Sequence, residues 1–173
     1  MRAQRNEKLT LGYMRANQPW DILPEEYFAC AMPNKAKPPL FFYGFAFPFS
    51  GTFTTSIESL TAMQRNIPAE YDWSDREKYT SADAICKYIE SRIEINVEFR
   101  IRRSLVDCNP DILFIFYIYS SWMPHQPKAP EWVSQLAKVV AEIFEEDLGW
   151  KAPEPKWYID NYMRAYEDDL DFN

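Results

Sequence analysis

The chain carries one histidine, His125 in the stretch WMPHQPK, and three cysteines, Cys30, Cys86 and Cys108. A cysteine nucleophile with a histidine base needs the two side chains within hydrogen-bond reach. A strand read over residues 111–121 puts Cys108 and His125 at its opposite ends, roughly 30 Å or more apart at strand rise. That dyad is not expected. Glu94 and Glu98 share a strand face, yet four residues of strand separate them by roughly 13 Å, beyond the about 5–9.5 Å of two-carboxylate glycoside chemistry. Glu98 and Arg100, two apart on that face, read as a surface ion pair of small worth.

Phosphate cradles need clustered glycine, and four glycines spread over 173 residues form none. An odd cysteine count, with no C-x-x-C pair and no histidine at metal spacing, argues against a zinc module or a disulfide framework. No metal or cofactor is expected. The segment YGFAFPF, residues 43–49, echoes part of the RNA-recognition strand pattern through Gly44, Phe45, Ala46 and Phe47. Tyr43 stands where that pattern needs a basic residue, Pro48 interrupts the strand, and no strand–helix pair precedes it, so buried hairpin aromatics are the better account.

Charge points the same way. Sixteen Lys and Arg balance sixteen Asp and Glu from Met1 to Ala141, and residues 142–173 carry three against ten, which is the whole net charge of −7. The first residues are basic, with Arg2, Arg5, Lys8 and Arg15 against Glu7. Phosphate binding usually needs a basic face over much of a domain, so nucleic acid is an unlikely partner for a neutral body with oppositely charged ends. MRAQRNEKLT has no apolar signal core, no apolar run approaches the ~20 residues of a membrane-spanning helix, and no N-x-[ST] sequon occurs. These features imply a reducing compartment, cytoplasmic or nuclear.

The elements that would position any site are legible in part. Prolines 19, 24, 33, 38 and 39 make residues 1–39 an irregular arm with a short helical turn after Pro24, and residues 40–173 then form one domain. Phe41–Phe47 and Thr52–Ile57 read as a hairpin around Ser50-Gly51. Residues 62–79 read as a long loop or a short irregular helix. Thr80 or Ser81 caps a helix carrying Ile85, Tyr88 and Ile89 on one face. Residues 93–103 alternate Ile93, Ile95, Val97, Phe99 and Ile101 with polar residues, a strand with one wet face. SLVDCNPD turns the chain into the strand 111–121. A helix over 130–148 presents Trp132, Val133, Leu136, Val139, Val140, Ile143 and Phe144 on one stripe and stops at Gly149. Tyr158, Ile159, Tyr162 and Met163 continue at helical spacing. The expected fold is α+β, an antiparallel sheet of about four strands in ββαββαα order with the C-terminal helices packed on it.

The stretch DILFIFYIYSSW, residues 111–122, has no alternation, so both faces of its strand need cover. Ile112, Phe114, Phe116 and Ile118 are assigned to the main core, and Leu113, Ile115, Tyr117 and Tyr119 to the second face. Leaving four such side chains wet would forfeit several kcal/mol at roughly 1.5–3 kcal/mol each. A polar strip from residues 94–102 beside them predicts an aromatic patch rimmed by charge, built from Tyr117, Tyr119, Trp122, Arg100 and Arg102. The expected function is therefore non-enzymatic: a protein-interaction or assembly component, such as an adaptor, a regulator or a small structural or matrix-like element, with a possible homo-oligomer. The alternative is a small-molecule pocket, catalytic or not, lined by Tyr117, Tyr119, Trp122 and His125.

Overall fold

Two strands, β1 (Phe41–Pro48) and β3 (Asp111–Ser120), pair antiparallel and organise the rest. The structure, a computed structural model, describes residues 11–29, 39–48, 53–69, 80–93, 102–108, 111–122 and 129–160. β2 (Arg102–Cys108) lies antiparallel to the outer side of β3, and the short β4 (Lys156–Ile159) to the outer side of β1, giving the order β2-β3-β1-β4. Helices α1 (Leu11–Asn17), α2 (Phe53–Arg65), α3 (Ser81–Arg92) and α4 (Glu131–Glu146) complete the described elements. The fold is mixed α+β with an antiparallel sheet, as expected, but its element order is not ββαββαα.

One hydrophobic cluster gathers the helices onto one face of this sheet. Met14 of α1, Leu60 and Met63 of α2, Ile85 and Ile89 of α3, and Val140 and Phe144 of α4 meet Phe41, Phe45, Phe47, Phe114 and Phe116. The Phe144 ring sits 5.6, 5.0 and 5.4 Å from those of Phe45, Phe47 and Phe116. Each such buried side chain stabilises by roughly 1.5–3 kcal/mol. The residues expected as an irregular arm add Met14, Leu23, Tyr27 and Phe28 to this same core, and Trp20 and Trp157 exchange both backbone hydrogen bonds, at 3.1 and 2.8 Å. Gln18 Oε1 accepts from Ile159 N at 3.0 Å.

α3 and α4 fall where the sequence puts them. Thr80 caps α3, its hydroxyl accepting from Asp83 N at 3.3 Å and donating to Asp83 Oδ2 at 2.6 Å. α4 buries Val133, Leu136, Ala137, Val140, Ile143 and Phe144, while Trp132 and Val139, expected on that stripe, are exposed. It ends at Gly149 with a φ of 68°, a conformation that favours glycine. There Trp150 N donates to Phe144 O at 2.9 Å, and Asn66 Nδ2 to Leu148 O at 2.7 Å.

Four expectations are corrected. Residues 53–57 belong to α2 and not to a strand, because Leu60, Met63 and Ile67 bury at helical spacing against the core; the same helix takes in residues 62–65 of the segment expected as a long loop or a short irregular helix. Residues 104–108 are strand and not turn: β2 pairs Arg102 with Tyr117 through to Cys108 with Asp111, leaving only residues 109 and 110 between the strands. Ile93 closes α3, and 94–101, which carry the alternating pattern, lie outside the described residues. Residues 156–159 are strand and not helix, with Trp157 and Ile159 in the main cluster and Tyr158 on the opposite face; 161–173 lie outside the described residues.

The fourth correction concerns β3. β1 and β3 pair Phe47 with Phe114, Phe45 with Phe116 and Gly44 with Tyr117, then jump to Tyr43 with Tyr119. Ile118 is the extra residue of a bulge, which reverses the facing of everything beyond it. Ile118 and Tyr119 both enter the helix-side cluster, whereas Ile115 joins Phe42, Ala46 and Tyr158 on the second face with Tyr117 packed against them. Gly44 makes the kink possible, since a Cβ there would fall on the carbonyl oxygen of Phe116 and stand 2.5 Å from the Tyr117 Cα. Just beyond β3, the buried Ser121 carries the pairing one step further. Its Oγ accepts from Phe41 N at 3.0 Å, its N donates to Phe41 O at 2.9 Å, and its O accepts from Ala29 N at 3.1 Å.

Candidate functional site

The bulge divides the aromatic patch expected from the sequence. Tyr117 is half-buried on the second face, stacked on Phe42 with centroids 3.9 Å apart and planes at 16°. Tyr119 is buried on the helix side, edge-on to Trp132 at 5.7 Å and to Trp157 at 6.2 Å. The two tyrosines therefore do not form one surface. Arg102 lies opposite Tyr117 in register, Trp122 is half-buried just past β3, and Arg100 and His125 lie outside the described residues. The second face is withdrawn from solvent at Phe42, Ala46, Ile115 and Tyr158, with Ile115 at 0% exposure, so at these positions it is no open apolar patch.

What the structure does open is a cleft of about 240 Å³ where three segments converge. The loop after α1 contributes Asp21, Ile22, Leu23 and Phe28, the strands β1 and β4 contribute Tyr43 and Trp157, and the first turns of α4 contribute Pro130, Glu131, Val133 and Ser134. The floor is aromatic. Trp157 is edge-on to Phe28 at 5.5 Å and tilted against Tyr43 at 5.3 Å. Burial raises the Tyr43 phenol above its ordinary pKa, because the phenolate would be poorly hydrated there.

The rim is polar and apolar by turns. Lys156 Nζ pairs with Asp21 Oδ1 at 3.0 Å, and Ser134 Oγ donates to Glu131 O at 2.8 Å, tightening the first turn of α4. Ile22, in the cleft's lining, is 85% exposed. Desolvating such a side chain is favourable for any partner that covers it. Among the described residues no group of His, Cys, Asp and Glu could hold a metal ion, and no helix is long and apolar enough to cross a membrane. Cys86, buried on α3, forms no disulfide among the described residues.

None of the residues lining this cleft was singled out as a site by sequence reasoning. Reading 156–159 as helix hid Trp157 and the edge it completes. The one legible signal was Pro130-Glu131 at the start of an amphipathic helix, which marked the cleft's α4 wall but not its floor. Comparison with known proteins gives no match: no family model, no curated protein and no solved structure matches the chain.

Proposed function

We propose that this chain is a protein-interaction module, an adaptor or an assembly component, that engages its partner through the surface around the α4 cleft and not through Tyr117 and Tyr119 together. The observation that carries this reading is the coincidence of a highly exposed apolar side chain, Ile22, with an aromatic-floored cleft of about 240 Å³. That volume lies below the roughly 300–1,000 Å³ typical of small-molecule and cofactor pockets, and it suits a single inserted side chain. Interfaces concentrate their energy in such anchors, an apolar group seated in a small desolvated pocket. A second copy of the chain is one partner compatible with this reading, and a reducing compartment, cytoplasmic or nuclear, fits the buried Cys86, which forms no disulfide among the described residues.

The test is site-specific photo-crosslinking. Crosslinkers placed at Ile22 and at Ser134, both in the cleft's lining, should capture the same discrete protein, saturably, whereas one at Lys87, exposed on α3, which contributes no residue to that lining, should not. Equal capture at all three positions would overturn the reading, and so would turnover or tight binding of a small molecule that Ser134→Phe blocks.

A further inference from the structure

The second face of the sheet is buried, yet no described helix lies in its cluster. Phe42, Ala46, Ile115 and Tyr158 are withdrawn from solvent there, with Leu40 and Tyr117 packed beside them. α1, α2, α3 and α4 all place apolar side chains in the cluster on the opposite face, and among the described residues only the strands and Leu40, directly before β1, contribute to this one. A sheet's own strands lie side by side and leave the tips of such side chains open, so a further layer lies over them. The burial is complete in a single chain. The cover therefore comes from the same chain and not from a second copy.

The end of β4 lies at this face. Tyr158 belongs to the cluster, and Asp160 N donates to Leu40 O at 2.9 Å. Thirteen residues follow, 161–173, outside the described residues. Their sequence, NYMRAYEDDLDFN, sets Tyr162, Met163, Tyr166 and Leu170 at three- and four-residue intervals, with Arg164, Glu167, Asp168 and Asp171 between them, which is the pattern of a segment with one apolar side. Their reach is ample. Two strand steps from β4 to β3 are roughly 10 Å, and thirteen residues span about 20 Å even at the short rise of a helix. Residues 30–38 also arrive at Leu40, but they offer Met32 among Pro33, Lys35, Lys37 and Pro38, too little apolar surface for side chains from three strands. We infer that 161–173 is an intramolecular strap that docks Tyr162, Met163, Tyr166 and Leu170 on the second face, over Phe42, Ile115 and Tyr158, and turns its carboxylates to water. The strap is independent of the α4 cleft, and its test has no bearing on capture at Ile22 and Ser134.

A photoreactive phenylalanine analogue in place of Tyr166, in the full chain, tests the docking directly. Irradiation should give intrachain adducts within residues 40–48 and 111–120, located by peptide mass spectrometry and unchanged in yield on dilution. Adducts on the helices, adducts only between copies, or none at all would overturn the inference. A second measurement follows the face itself. Ala46→Cys puts a thiol on the second face, and the native Cys86 is buried on the helix side as an internal control. Tyr166→Asp sets a charge on the apolar side of the strap, where its burial is costly, and should speed maleimide labelling at position 46 by at least about tenfold through local opening, with Cys86 unchanged. Unchanged labelling at position 46 would overturn the inference. Acceleration at both positions would report a lost fold, and the adducts from the photoreactive chain then decide.

Discussion

At the scale of single residues, Gly44 has the least freedom to change. It stands at the bulge, where β3 spends two residues against one of β1, and the backbone of Phe116 and Tyr117 occupies the space a Cβ would need. Backbone cannot step aside as a flexible side chain can. Gly44→Ala should therefore cost about 3 kcal/mol, the upper end of the range for overpacking, read as a lowered urea midpoint with unchanged slope; a shift within experimental scatter would mean that the bulge is not held as described. Tyr27 offers a second test. Its phenol is buried against Phe41 and Trp20, with centroids 5.1 and 5.8 Å away, and burial first, then the nearby Glu26 and Tyr13, raise its pKa from 10.0 to about 12. Below pH 10 the phenol is protonated in both the folded and the unfolded chain, so stability does not depend on it. Between pH 10 and about 12 the unfolded chain releases its proton first, and the stabilisation is lost as pH rises through that window. Denaturant titrations across the window should show a falling stability that Tyr27→Phe makes shallower. The same slope in both proteins would refute the assignment.

At the scale of elements, the end of α4 is held by α3. Three acids, Glu145, Glu146 and Asp147, crowd the negative pole of α4, a placement with a local electrostatic cost. Asp147 Oδ2 accepts from Tyr88 OH and from Arg92 Nε, both at 2.9 Å, which offsets that cost for one of them. Tyr88 is buried and Arg92 is largely exposed, so the two contacts should separate experimentally. A double-mutant cycle of Tyr88→Phe with Asp147→Ala should return a coupling of about 1–2 kcal/mol that persists in high salt, as for a hydrogen bond to a charged group out of water. The cycle of Arg92→Ala with Asp147→Ala should return a smaller coupling that salt removes. Couplings of equal size and equal salt response would contradict this division. α3 and α4 were legible in sequence because period, cap and stop residues all agree there: Thr80 with Asp83, and Pro130 with Gly149. α2 was not, because Thr54, Thr55 and Ile57 carry strand propensity, and only tertiary burial of Leu60, Met63 and Ile67 settles the matter as helix. β4 was missed because Tyr158, Tyr162 and Tyr166 fall at helical spacing, while Trp157 and Ile159 owe their place to pairing with β1, more than a hundred residues away. The site suffered most from the bulge. No local pattern around Tyr117 and Tyr119 announces that one residue of register is lost between them, so a surface built by strict alternation was split across the sheet.

At the scale of the whole molecule, the proposed association predicts separable contributions from charge and from apolar surface. The net −7 resides in residues 142–173, and the opposite charge in the first fifteen residues. Asp147 is engaged by Tyr88 and Arg92 within the chain, whereas Arg2, Arg5, Lys8 and the acids at 167–171 lie outside the described residues and remain the candidates for contact between the basic start and the acidic end, within one copy or between two. Contacts between exposed charges weaken as the Debye length shrinks from about 10 Å at 0.1 M salt toward 3 Å at 1 M, whereas burial of Ile22 does not weaken with added salt. The deletion that isolates the charged start must stop before α1, since Met14 is 0% exposed in the main core and its loss would damage the fold itself. Removing residues 1–10 keeps Met14 and takes away Arg2, Arg5 and Lys8. Sedimentation from ~50 to ~500 mM salt should then show self-association that falls with salt in the full chain and is already low, and flat, in the shortened one. Association that is indifferent to both salt and deletion, yet abolished by Ile22→Asp, would assign it to the apolar rim of the cleft and reject any part for the charged ends.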